Sequence, residues 1–152
     1  MTPFDPAEPD AATLKSGRLD PSRPILIRGA HLITMDDLLG DLVGDVLVRD
    51  GRIAQVGHNL ACEGAVVIDG TDKVVIPGFV NSHIHLWQTT IKGCGGDYAF
   101  GDYLQYILGE AGKHYRPEDV YVATLLGAVE QIEAGVTTVY DWAHILNTPE
   151  HA

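Results

Sequence analysis

Positive charge is scarce in this sequence. Ten lysines and arginines stand against 21 aspartates and glutamates, for a formal net charge of −11. No basic run offsets that balance, which argues against binding to phosphate backbones or anionic membrane surfaces. Cysteine is scarce too: Cys62 and Cys94 are the two, with no C-x-x-C between them. That excludes a disulfide framework, and both read as free thiols in a reducing compartment. Long apolar runs are absent, none approaching the roughly 18 residues of a membrane span. The opening M-T-P-F-D-P-A-E-P-D is acidic and proline-rich, without the apolar centre of a signal peptide. The expectation is a cytoplasmic protein with neither nucleic acid nor membrane as partner.

What is present suffices for a core: 152 residues, 45% of them hydrophobic, make one ordinary domain or two small ones. Residues 1–22 carry Pro3, Pro6, Pro9 and Pro21 among acids and small residues and read as a mobile arm. Residues 23–76 read as a small β module. I-L-I-R-G-A-H-L-I-T-M is a strand with a bend or bulge at Gly-Ala. D-V-L-V-R-D-G-R-I-A-Q-V-G is a hairpin, with Asp50-Gly51 supplying the positive φ angles of a type I′ turn. Two short apolar stretches, A-V-V-I-D-G and K-V-V-I-P, follow as further strands.

From Pro77 the pattern changes. F-V-N-S-H-I-H reads as a buried-type strand, and D-Y-L-Q-Y-I-L as a short helix. A long helix begins at Pro117, with Glu118 and Asp119 complementing its positive end. Val122, Leu125, Leu126, Val129 and Ile132 form its apolar stripe, and Gly135 suits the position past its end. V-T-T-V-Y then forms a strand ending at Asp141. Strand, helices, strand is the opening of a parallel β/α arrangement.

His83 and His85 are separated by one residue. On a strand such residues project from one face. Two neutral imidazoles there can share a divalent metal at about 2.0–2.1 Å each. Such a metal makes water a nucleophile at neutral pH. The pair alone is a weak signal, and by itself favours two partly exposed strand histidines over a metal site.

The surroundings sharpen it. D-G-R-I-A-Q-V-G, V-V-I-P-G-F-V-N-S-H-I-H-L and E-A-G-V-T-T-V-Y-D, in that order, resemble the start of an amidohydrolase-superfamily enzyme. H-I-H-L-W-Q and W-A-H-I-L-N-T-P-E-H-A resemble most the branch containing cytosine and guanine deaminases and triazine hydrolases. The resemblance covers roughly residues 23–152. It implies an α/β fold: a small β-sandwich module followed by the opening part of a (β/α)8 TIM-type barrel. Residues 77–152 would be the first two βα units, incomplete, because such a barrel takes roughly 250 residues. It implies a metal-dependent hydrolase acting on C–N bonds of a small heterocyclic molecule. One divalent ion, zinc first and iron as the alternative, would be held by His83 and His85. The family's later histidines, aspartate and proton-shuttling glutamate have no counterpart in this sequence, so the catalytic acid/base is unknown and the chain by itself is expected to be inactive. A dinuclear relative, imidazolonepropionase- or dihydropyrimidinase-like, is the alternative within the superfamily. A non-catalytic truncated piece is the alternative outside it. Oligomeric state is not legible.

The resemblance also implies substrate-binding candidates. Gln88 would bond a substrate ring, or simply begin a helix. Trp87 would wall the pocket, or pack in the core. His144, after the second barrel strand, would touch substrate, or serve as an ordinary loop histidine. Asp141 reads as a capping or orienting group. His31, His58, His114 and His151 take no role. The loop K-G-C-G-G-D lacks a base for cysteine catalysis and the lysine spacing of a phosphate loop.

Overall fold

The computed structural model describes residues 23–151. The arm expected over residues 1–22 lies outside the described residues. The fold is mixed α/β and divides into two compact units, one ending at Pro77 and the other beginning at Gly78.

The first unit is a five-stranded sheet. Its strands are β1 (Ile25–Leu32), β2 (Leu42–Arg49), β3 (Arg52–Gly57), β4 (Val66–Asp69) and β5 (Val74–Val75). The order is β3-β2-β1-β4, with β5 also on β1. β2 runs antiparallel to β1 and β3, while β4 and β5 run parallel to β1. At the β2–β3 turn, Asp50 has φ 52° and Gly51 φ 69°. That left-handed pair matches the right-handed twist of the flanking strands. The bend read at Gly29 is a register shift between Ile27 and Ala30, with Gly29 at φ 71°. Buried Asp45 holds this bend. One carboxylate oxygen accepts from Gly29 N at 2.8 Å, the other from Leu60 N at 2.9 Å. Ala30, Leu32 and Val46 form the core.

The second unit places the candidate site. Strands β6 (Phe79–Ile84) and β7 (Val136–Asp141) pair in parallel. Between them lie a 3-10 turn (Leu86–Ile91), a helical run and helix α1 (Pro117–Glu133). The α1 start is built as its sequence suggests. Pro117 occupies the first turn, and Asp119 accepts from the Arg116 backbone N–H at 3.0 Å and from its guanidinium at 2.9 Å. Gly135, φ 80°, follows the helix end, and its carbonyl accepts from Phe79 N at 2.9 Å. Glycine at 78 has a steric cause. A Cβ there would fall 2.7 Å from Thr137 Cβ and closer still to its γ atoms.

The expected short helix is present with wider winding. A single α turn, Phe100–Asp102, passes into a π-helix over Tyr103–Glu110 and a 3-10 turn over Ala111–His114. The stripe expected on α1 is there but faces outward: Val122, Leu125, Leu126, Val129 and Ile132 are all exposed, Ile132 by 71%. The packed face is smaller, formed by Val120, Ala123 and Gly127. Gly127 lets α1 approach the 3-10 turn; a Cβ there would sit 2.6 Å from Thr89 Oγ1 and 2.9 Å from Leu86 Cδ2. The core of this unit is Trp87, Ile107, Val120 and Ile145.

Candidate functional site

β6 ends at Ile84, so His83 lies on the strand and His85 one residue beyond it, opening the 3-10 turn. The β7 partner breaks register between Asn81 and Ile84. The consequence is visible in the side chains. Asn81 hydrogen-bonds Gln131 of α1 at 2.8 Å, whereas His83, of the same parity, stacks on Trp142 with ring centroids 5.0 Å apart. The two imidazoles nevertheless converge, His83 and His85 with centroids 5.2 Å apart and planes at 83°. Two imidazoles sharing one tetrahedral cation at about 2.0–2.1 Å have ring centres about 5 Å apart.

The end of β7 fixes this pair. His85 Nδ1 lies 2.8 Å from the Trp142 carbonyl oxygen. A carbonyl only accepts, so Nδ1 carries the hydrogen, and in the neutral ring the lone pair is then on Nε2. Trp142 N in turn donates to Ile84 O at 2.7 Å. Asp141 Oδ1 accepts from Leu86 N at 3.0 Å, capping the turn that begins at His85. His83 N donates to Asn81 Oδ1 at 3.2 Å.

His144 packs on His85 with centroids 4.3 Å apart. Partial burial, then the neighbouring His85, holds its pKa below the ordinary imidazole value. Asp141 opposes that shift and His83 adds to it. Among the described residues no group of three or more His, Cys, Asp or Glu is arranged to hold a metal. Two imidazoles alone fall short of the four ligands a tetrahedral ion takes.

Beside His85 opens a cleft of about 310 Å³. Gln88, Lys92, Cys94 and Tyr103 line it with Ile84, Ile91 and Ile107. Gln88 Nε2 donates to Tyr103 Oη at 2.7 Å. Lys92 pairs with Glu130 at the rim. Trp87 lies elsewhere, 1% exposed in the core and edge-on to Tyr115. Its indole N–H is buried without a hydrogen-bond partner among the described residues. Sequence reasoning missed Tyr103 and Trp142. Nothing in the spacing links Tyr103 to Gln88. Trp142 follows Asp141 directly, at a strand end where functional groups gather, and was findable there.

Residues 74–145, which contain the histidine pair, both parallel strands and the cleft, match the sequence model of the amidohydrolase family. The segment is part of an amidohydrolase domain. Its curated relatives include a 5'-deoxyadenosine deaminase of Methanosarcina acetivorans, 36% identical over 118 residues, which are 77% of this chain and 27% of that protein. A 5-methylthioadenosine/S-adenosylhomocysteine deaminase of Pyrococcus furiosus is 37% identical over 97 residues, 64% of this chain and 23% of that protein. Among solved structures, a triazine hydrolase variant superposes with a TM-score of 0.68 at 30% identity, covering 78% of this chain and 28% of that one. Molinate hydrolase gives 0.52 at 29% identity, covering 79% of this chain and 24% of that one. The chain thus spans about a quarter of the length of the relatives it matches.

Proposed function

We propose that this chain is the opening part of a metal-dependent hydrolase that cleaves C–N bonds other than peptide bonds, as a deaminase of a small heterocyclic substrate. The observation that carries the reading is the converging His83–His85 pair, with His85 Nδ1 committed to the Trp142 carbonyl. An imidazole held in that tautomer is a preset ligand through Nε2. Amidohydrolases generally use a metal ion, and the deaminase relatives support the reaction class.

A divalent cation bound at these residues, zinc by our assignment and iron as the alternative, supplies Lewis acidity and makes water nucleophilic at neutral pH. The chain's own residues bind and orient. His85 is held by Trp142, and the turn after it is capped by Asp141. Gln88 and His144 offer polar atoms to a substrate beside the pair. Trp87, part of that turn, anchors it in the core against Ile107, Val120 and Ile145.

The finer fold follows the same reading. Residues 23–76 form one layer of a composite β-sandwich, and residues 77–152 the first two βα units of a (β/α)8 barrel. The parallel β6–β7 pair with α1 between its strands supports this. So do the apolar faces left uncovered: Val80 is 70% exposed on the sheet, and the outer stripe of α1 is open. Those faces suit further βα units.

Calorimetric titration of zinc into the chain tests the site. One equivalent is expected for the wild type and for His144→Ala. His83→Ala and His85→Ala should each abolish binding. Unchanged uptake by both of these variants removes the reading.

A further inference from the structure

We propose that Tyr103 is a positioning residue that sets which way the Gln88 amide faces the cleft, and so makes the site select ligands that bring a hydrogen-bond donor. Both side chains are half-buried and line the cleft beside His85. Gln88 Nε2 donates to Tyr103 Oη at 2.7 Å. Among the described residues no protein donor reaches Gln88 Oε1. A primary amide has one acceptor oxygen and two N–H hydrogens. Committing the nitrogen to the phenol turns the carbonyl oxygen toward the space a ligand would fill. The arrangement accepts an N–H or O–H from the ligand and leaves a ligand acceptor facing that oxygen unpaired.

The backbone supports this fixed geometry from both sides. Gln88 N donates to His85 O at 3.0 Å, so the Gln88 backbone is tied to the residue that opens the turn. Tyr103 begins the π-helix Tyr103–Glu110, a rare winding that often accompanies functional sites. That helix brings Tyr103 and Ile107 to the same cleft. Tyr103 acts through Gln88, and its effect should vanish when Gln88 has no amide.

The inference rests on the proposed function for the identity of the ligand class, but the Tyr103–Gln88 link can be read separately. In nitrogen-15 spectra of the full 152-residue chain, the Gln88 side-chain NH2 pair should show two well-separated, slowly exchanging protons. Tyr103→Phe should collapse them toward solvent-exposed values while backbone signals of the first unit stay in place. An unchanged Gln88 pair in Tyr103→Phe overturns the proposal.

Titration with 5'-deoxyadenosine then reads the role. Tyr103→Phe should weaken binding about five-fold, the loss of one oriented hydrogen bond. In the Gln88→Ala background the same change should have less than about a two-fold effect, because coupled residues lose their separate contributions. Equal effects in both backgrounds would also overturn the positioning role. Absence of binding by the wild type, with the spectroscopic change intact, would count against the ligand class of the proposed function and not against the link. Should Tyr103→Phe fail to fold, Gln88→Glu substitutes. Its carboxylate accepts from the Tyr103 hydroxyl and raises the phenol pKa; an unshifted phenol titration overturns the link.

Discussion

Trp142 is the residue on which two histidines meet: its ring faces His83 and its carbonyl holds His85. The carbonyl is a backbone group, so the His85 tautomer should survive Trp142→Phe, whereas the stacking on His83 should weaken. Trp87, buried beneath, makes a different prediction. Trp87→Ala removes the largest side chain of the core and should cost about 3–5 kcal/mol of stability by denaturant unfolding. Trp87→Phe should cost less, because it keeps an aromatic ring in the core and leaves a smaller cavity, while both variants remove an indole N–H that has no partner among the described residues. Equal losses for the two variants would mean that a phenyl ring fills none of the space the indole leaves, against a packing role for the ring. At this scale the histidine pair was legible from its one-residue spacing, but its geometry was not. Strict alternation would have put Asn81, His83 and His85 on one face. The register break after Asn81 and the end of β6 at Ile84 make the actual convergence depend on β7.

Among the elements, α1 was the most legible. Pro117, the acidic first turn and Gly135 gave its bounds because caps are local chemistry. The Asp119 carboxylate, bonded foremost to the Arg116 side chain and then to its backbone N–H, has a pKa well below the ordinary carboxylate value. A depressed folded-state pKa gives stability that is present above the unfolded value and lost as pH falls through the folded one. Asp119→Asn should therefore lower the melting temperature at pH 7, with the difference from wild type shrinking in strong acid. A difference constant across that range would contradict the capping role. Gly127 sets two effects against each other. Alanine gains about 1 kcal/mol of helix propensity, but its Cβ meets Thr89 and Leu86 at 3.1 Å or less, and overpacking costs about 1–3 kcal/mol. Gly127→Ala should come out destabilising in chemical denaturation; a rise in stability would show that α1 can shift away from the turn. The π-winding of Tyr103–Glu110 was not legible. Eight residues cannot separate a period near 4.4 from one of 3.6, and Gly101 and Gly109 weaken any local preference for the tighter helix.

For the whole molecule, hairpin and bulge in the first unit followed from Asp50-Gly51 and Gly29, where positive φ angles favour those residues. The anchoring of the bulge by Asp45 did not, because it joins residues 16 and 15 positions away. Exposure of the α1 stripe could not be read from periodicity either, since an apolar face announces that it is to be covered and not by what. The uncovered faces of Val80, Ile132 and Tyr121 should make the 152-residue chain bind a hydrophobic dye and self-associate as concentration rises. A monodisperse, dye-silent monomer would mean those faces are covered. Spanning about a quarter of the length of its deaminase relatives, the zinc-loaded chain should leave 5'-deoxyadenosine unconverted, measured as ammonia release.

The central claim is that His83 and His85 serve one cation together. Nitrogen-15 spectra of the imidazole rings during zinc titration test it most directly. One ring nitrogen of His83 and Nε2 of His85 should shift in step and reach their end point at one equivalent, while His31 and His58 do not respond. Two separate titrations, or a response carried by other histidines while these two remain still, would contradict it.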